Sequence, residues 1–117
     1  MKVIVCGGRD YKDKSFVYSC LDKFHKKSKI TLLINGGARG VDQFAYEWAI
    51  ANGVPSHREF ADWDRDGKMA GPIRNQKMRD MNPDCIIAFP GGKGTADMVK
   101  RAKGVPVHEY REHKAAD

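Results

Sequence analysis

Three times in 117 residues a short apolar run breaks into a glycine-rich turn and then into a helix-compatible segment. Runs 2–6, 30–34 and 85–89 lead into Gly7-Gly8-Arg9-Asp10, Gly36-Gly37-Ala38-Arg39-Gly40-Val41-Asp42 and Pro90-Gly91-Gly92-Lys93-Gly94-Thr95. Strands that alternate with helices build a parallel sheet covered on both faces, and ligands of such sheets bind beyond the carboxyl ends of the strands. All three turns fall at those ends. The expected fold is therefore α/β, with a mainly parallel five-stranded sheet, helices on both faces, and the turns converging on one sheet edge.

The remaining elements follow from periodicity and punctuation. Phe16, Val17, Cys20, Leu21 and Phe24 predict a helix over 13–27. Val41, Phe44, Ala45, Trp48 and Ala49 make one broad helical stripe, which Gly53 ends. A polar third strand is expected over 54–60, with Pro55 suiting an edge, and an irregular loop over 61–72. Pro72 is placed at the first position of a helix over 72–81, stopped by Asn82-Pro83. The last helix is expected to follow Thr95, and Gly104 closes it. A fifth strand over 105–109 is placed at an edge or strand start by Pro106, and 110–117 reads as a frayed charged tail. The whole chain, 1–117, reads as one domain.

Composition narrows the function classes. No run approaches the ~18 apolar residues of a membrane span, and the first residues enter a strand with no signal-peptide core. Cys6, Cys20 and Cys85 are odd in number, far apart and set in apolar runs, so they read as reduced, buried residues of a cytoplasmic protein. His25, His57, His108 and His113 are scattered without metal-ligand spacing, and no metal or resident cofactor is expected. The net charge of +6 favours an anionic partner, either a small phosphorylated molecule or nucleic acid. The cluster Lys23, Lys26, Lys27 and Lys29 reads first as a solvated helix end.

Glycine turns before helices hold phosphate, because the backbone approaches closely, aims N–H groups at the anion and adds the positive end of the helix dipole. Thr95 is a candidate cap or phosphate ligand, and Lys93 a charge at the loop edge. Standard recipes do not fit. A dinucleotide fingerprint from Gly7 meets Arg9 and Lys12 where glycines are needed, and one from Gly8 meets Asp10 and Asp13. Around Gly67-Lys68 a P-loop meets Asp62 and Met69 in place of Gly and Ser or Thr. Asp62, Asp64 and Asp66 imitate a calcium loop, but its twelfth position holds Ile73 instead of Glu.

Gly36-Gly37-Ala38-Arg39-Gly40-Val41-Asp42 resembles the G-G-A-x-G-[VI]-D turn of the SLOG superfamily. That superfamily includes the DNA-processing protein DprA and the LOG-type cytokinin-activating phosphoribohydrolases. Pro90-Gly91-Gly92-Lys93-Gly94-Thr95 is similar to the P-G-G-x-G-T signature of the LOG enzymes. Adding Gly7-Gly8-Arg9-Asp10, Ala61-Asp62-Trp63, and Gly67 to Pro72 followed by Arg74-Asn75, the chain resembles most the YspA/YpsA-related branch of small stand-alone proteins, over 1–110.

The resemblance implies a Rossmann-like three-layer sandwich that binds a nucleotide or nucleotide-derived ligand, in a homodimer or higher homo-oligomer. It implies a phosphate on Gly91, Gly92, Gly94 and Thr95, with Gly36, Gly37, Ala38, Gly40 and Asp42 beside it. Gly7, Gly8, Arg9 and Asn75 complete the candidate set. Arg74 would face the site with a fork suited to phosphate, against the plainer reading of a surface salt bridge. LOG enzymes carry a Glu three residues after the Thr, for N-glycosidic cleavage. Met98 stands there, with Asp97 about 100° around the helix. Asp10, Asp42 and Asp97 are the remaining carboxylate candidates for catalysis, and Asp10 and Asp42 fit a ribose hydroxyl or a turn equally well. Tyr11 and Trp63 are candidates for stacking on a base, and Trp63 fits equally as a loop anchor. A sensor, carrier or sequestering module ranks first. A nucleotide hydrolase or transferase ranks second, and a DprA-like nucleic-acid binder third.

Overall fold

The computed structural model describes residues 1–111. The strands are β1 Lys2–Cys6, β2 Leu32–Asn35, β3 Ser56–Arg58, β4 Cys85–Ala88 and β5 Val107–Glu109. The helices are α1 Lys14–Lys27, α2 Val41–Ala51, α3 Trp63–Asp66, α4 Ala70–Arg79 and α5 Lys93–Arg101. All strand pairs are parallel, in the order β3-β2-β1-β4-β5. This is the Rossmann-like α/β sandwich expected, with β3 and β5 at the edges.

The strands read as unbroken apolar runs because both faces are covered. Val3, Val5, Leu33 and Ile87 point to the face held by Val17 and Leu21 of α1 and by Ala45 and Trp48 of α2. Ile4, Cys6, Ile34 and Ile86 point to the face held by Met78 of α4 and Met98 of α5. Trp48 is fully buried, and its indole N–H donates to Asp22 Oδ1 at 2.8 Å. The chain winds outward from β1 to β3, then returns to lay β4 on the other side of β1. The order thus reverses between β1 and β4, which is where sheets of this kind open a crevice.

Strands β2, β3 and β5 are shorter than the expected 30–34, 54–60 and 105–109, and three further boundaries differ from the sequence-based expectation. The segment 61–72 is not an irregular loop: α3, a 3₁₀ turn over Gly67–Met69 and the start of α4 occupy most of it. Asp62 caps α3, its Oδ1 accepting from Arg65 N–H at 3.1 Å. Pro72 is consequently the third residue of α4, still in the first turn, where its missing N–H does no harm. α5 begins at Lys93, ahead of Thr95, with Gly92 as its N-cap. And Tyr110 is not part of a frayed tail. Its N–H donates to the Ala88 carbonyl at 2.9 Å and its ring stacks on Phe89 at 5.8 Å. Residues 112–117, His113 included, lie outside the described part.

Candidate functional site

The three glycine turns are bonded to one another. Gly8 N–H donates to the Pro90 carbonyl at 2.9 Å, tying the turn after β1 to the turn after β4. The Gly8 carbonyl accepts from Val41 N–H at 3.2 Å, tying it to the turn after β2. Gly40 makes the second tie possible. At φ +77° and ψ −129° it occupies a conformation closed to other residues, and a Cβ there would collide with the Gly8 and Arg9 carbonyl oxygens. Gly91 lies against Thr95 so closely that a Cβ would overlap the threonine hydroxyl.

Between the turns lies a deep pocket of about 90 Å³. It brings together Gly7, Gly8, Arg9, Gly36, Ala38, Asp42, Arg74, Asn75, Gly92, Gly94 and Thr95 from the candidate set. One wall is the N-terminus of α5. Its first intrahelical bond runs from Ala96 N–H to the Gly92 carbonyl at 3.1 Å, so the N–H groups of Lys93, Gly94 and Thr95 precede the ladder. Gly92 supplies no side-chain cap. Such an end carries partial positive charge and uncommitted donors, the arrangement that holds anions.

Asp42 from α2 and Arg74 from α4 both line this pocket. Asp42, in the first turn of α2, is 7 % exposed, and Ala38 N–H donates to its Oδ2 at 3.2 Å. Burial pushes its pKa up to about 6, although the Ala38 N–H and the Arg74 guanidinium pull the other way. Arg74 Nη1 donates to the Gly36 carbonyl at 2.8 Å, and its Nε to Asn75 Oδ1 at 3.0 Å. Burial draws its pKa below the ordinary guanidinium value, which leaves it a cation at any ordinary pH. Beneath them the Cys6 thiol is pushed up to about 12, by burial first and then by Asp42, and is a neutral floor.

Asn75 lines the pocket with its amide already spent. Nδ2 donates to the Gly94 carbonyl at 3.2 Å and to Asp97 Oδ2 at 2.9 Å, while Oδ1 holds Arg74. Its work is to fix Arg74 and the first turn of α5. Asn75→Ala is expected to lower stability by about 2 kcal/mol, read as a lower urea midpoint, because it strands partners that are half-buried.

The other candidates lie elsewhere. Asp97 accepts from Arg101 Nε at 2.8 Å and borders a separate depression with Gln76 and Lys100. Met98, at the place of the LOG carboxylate, is fully buried in the core. Asp10 is exposed and pairs with Arg39 at 3.0 Å. Tyr11 packs its ring near Phe89, beside a shallow depression shared with Asp10 and Gly91. Lys93 is exposed, at the first position of α5. Trp63 and Gly37 line an outer depression adjoining the deep pocket. That depression also contains Phe60 and Arg39, which the sequence reading did not single out. The one signal for Phe60 was a large aromatic at the end of an otherwise polar strand.

Comparison with known proteins agrees with this architecture. Residues 1–65 match the family model described as YAcAr, the YspA, cpYpsA-related SLOG family. The Gene 61 protein of Mycobacterium phage D29 is 36 % identical over 121 residues, spanning 93 % of this chain and 95 % of the phage protein. The X-ray structure of TM1055, a Northeast Structural Genomics Consortium target, superposes with a TM-score of 0.68 at 24 % identity. It covers 92 % of this chain and 72 % of that one, a likeness of fold.

Proposed function

Because the chain belongs to the YspA, cpYpsA-related SLOG family, we propose that it binds a nucleotide or nucleotide-derived phosphorylated ligand at the joined glycine turns, as a sensor, carrier or sequestering module. The observation that carries this reading is the uncapped N-terminus of α5 opening into a pocket that also holds the Arg74 guanidinium. Phosphate meets the N–H groups of Lys93, Gly94 and Thr95 and the Thr95 hydroxyl, with Arg74 as the fixed countercharge. Asp42, the one carboxylate among the pocket residues, is placed to accept from a sugar hydroxyl. The net charge of +6 suits an anionic ligand. Binding without turnover is favoured because Met98 is core and Asp97 is committed to Asn75 and Arg101.

Thermal shift against inorganic phosphate, ribose 5-phosphate, nucleoside mono-, di- and triphosphates, ADP-ribose, NAD and short oligonucleotides tests this. A mononucleotide at about a hundred times its Kd should add ~2.7 kcal/mol of stability, a rise of several degrees. Chromatography should recover it intact. Arg74→Ala should weaken binding by about 10- to 100-fold, the range for losing a charge-assisted hydrogen bond. Consumption of the ligand would make the protein an enzyme. A shift with oligonucleotides alone would overturn the reading in favour of nucleic acid.

A further inference from the structure

The deep pocket, at about 90 Å³, accommodates a phosphoryl group and adjoining atoms but no whole nucleotide. A second cavity of about 350 Å³ opens directly outside it. Arg9, Gly36, Ala38 and Arg74 line both, so one ligand can occupy the two together. The outer cavity carries two large aromatic side chains that the fold leaves uncovered. Phe60 is 59 % exposed and Trp63 50 %. Paired exposed aromatics beside a pocket mark a contact surface.

These rings are held in place. The Arg9 guanidinium lies 5.3 Å from the centroid of the Trp63 ring. The Arg58 guanidinium lies 5.0 Å from that of Phe60 and 4.2 Å from that of Tyr46. Trp63 opens α3, which Asp62 caps. Phe60 lies across Gly37, in the turn that also carries Asp42. Exposed aromatic rings with guanidinium groups over them form a stacking platform, the surface that aromatic bases use irrespective of their hydrogen-bonding edges.

Resting on the reading above, we infer that the outer cavity between Phe60 and Trp63 seats the nucleobase of the ligand whose phosphate occupies the deep pocket. The ligand class is then a nucleotide with its base attached. A bare sugar phosphate fills only half the site. Because stacking reads the π-face, purine and pyrimidine nucleotides both bind, ranked by stacking strength.

Isothermal titration with AMP, CMP, ribose 5-phosphate and inorganic phosphate, on the unaltered chain and on Phe60→Ala and Trp63→Ala, tests it. AMP should bind about 10- to 100-fold more tightly than ribose 5-phosphate, since stacking on one aromatic contributes ~1–3 kcal/mol per base. Each alanine variant should shrink that ratio while leaving ribose 5-phosphate affinity unchanged. Both side chains are exposed, so the variants are expected to fold. Fluorescence supplies a second readout. Trp48 is fully buried, so emission quenched by acrylamide comes from Trp63. AMP should shield it and ribose 5-phosphate should not. Equal affinity for AMP and ribose 5-phosphate, or an unchanged ratio in both variants, would overturn the base seat and leave the phosphate site standing. Failure of all four probes to bind the unaltered chain would remove both.

Discussion

Gly40→Ala should destabilise the protein by about 4 kcal/mol or more, a large share of the 5–15 kcal/mol that keeps a domain of this size folded. Two effects add. The backbone angles at Gly40 strain any residue with a side chain by roughly 1–3 kcal/mol. The new Cβ also meets the carbonyl oxygens of Gly8 and Arg9, which are main chain and cannot rotate away. Relief requires the first turn to retreat, and with it go the bonds from Val41 N–H to the Gly8 carbonyl and from Gly8 N–H to the Pro90 carbonyl. Each contributes about 1 kcal/mol, and all three turns separate. Gly92→Ala is the matching control. Gly92 has φ −100° and no atom within 4 Å of its added Cβ, and alanine for glycine at an N-cap changes stability by under about 1 kcal/mol. Urea unfolding should thus separate two glycines of the same site by several kcal/mol. Equal midpoints would mean that the turns are not joined as described.

That contrast also shows what the amino-acid sequence discloses. The convergence of the turns was legible because it is a consequence of topology. Apolar runs such as Cys85 to Phe89 must be buried on both faces, which requires crossover helices and places every strand end on one side. The stripe on α2 was legible for the same reason, as a buried face written at helical period. Short capped pieces were not. α3 is four residues long and is defined by the Asp62 cap instead of by periodicity. The start of α5 was hidden because Gly94 is a poor helix former and reads as more turn. Tyr110 sits among charges in sequence, and its stacking on Phe89 and its bond to the Ala88 carbonyl show that the chain is still docked there. Side-chain direction was the least accessible. Asp10, Asp42 and Asp97 stand at comparable places beside glycine turns, yet one pairs with Arg39 in solvent, one is buried in the pocket and one is bound to Arg101. For Asp10 and for the Asn75 contact of Asp97, the deciding partner lies more than twenty residues away in the chain.

Asp42→Asn should raise stability at pH 8 by about 2–3 kcal/mol and remove an acid-range slope of unusual sign. Most carboxylates are stabilised as anions by folding, so proteins lose stability as the pH falls. Asp42 does the reverse. Its pKa is raised from 3.8 to about 6, chiefly by burial, so the folded state holds the proton more tightly than the unfolded chain does. Its contribution is fully present below about pH 4 and is lost as the pH rises through about 6. The difference of about two pH units corresponds to roughly 3 kcal/mol at 1.36 kcal/mol each. Asparagine keeps an oxygen for the Ala38 N–H and carries no charge to bury. Urea midpoints of the two proteins should lie closest at pH 4, separate as the pH rises to about 6, and keep a nearly constant gap from there to pH 8. If the variant is instead the less stable at pH 8, the Ala38 hydrogen bond and Arg74 outweigh burial. A residue kept against stability has its reason in the site. AMP binding at pH 8 should therefore weaken in the same variant, by about 10-fold for an anionic acceptor replaced by a neutral one. Gain of stability with loss of affinity is the pairing that distinguishes a ligand-facing carboxylate from one that only completes the turn.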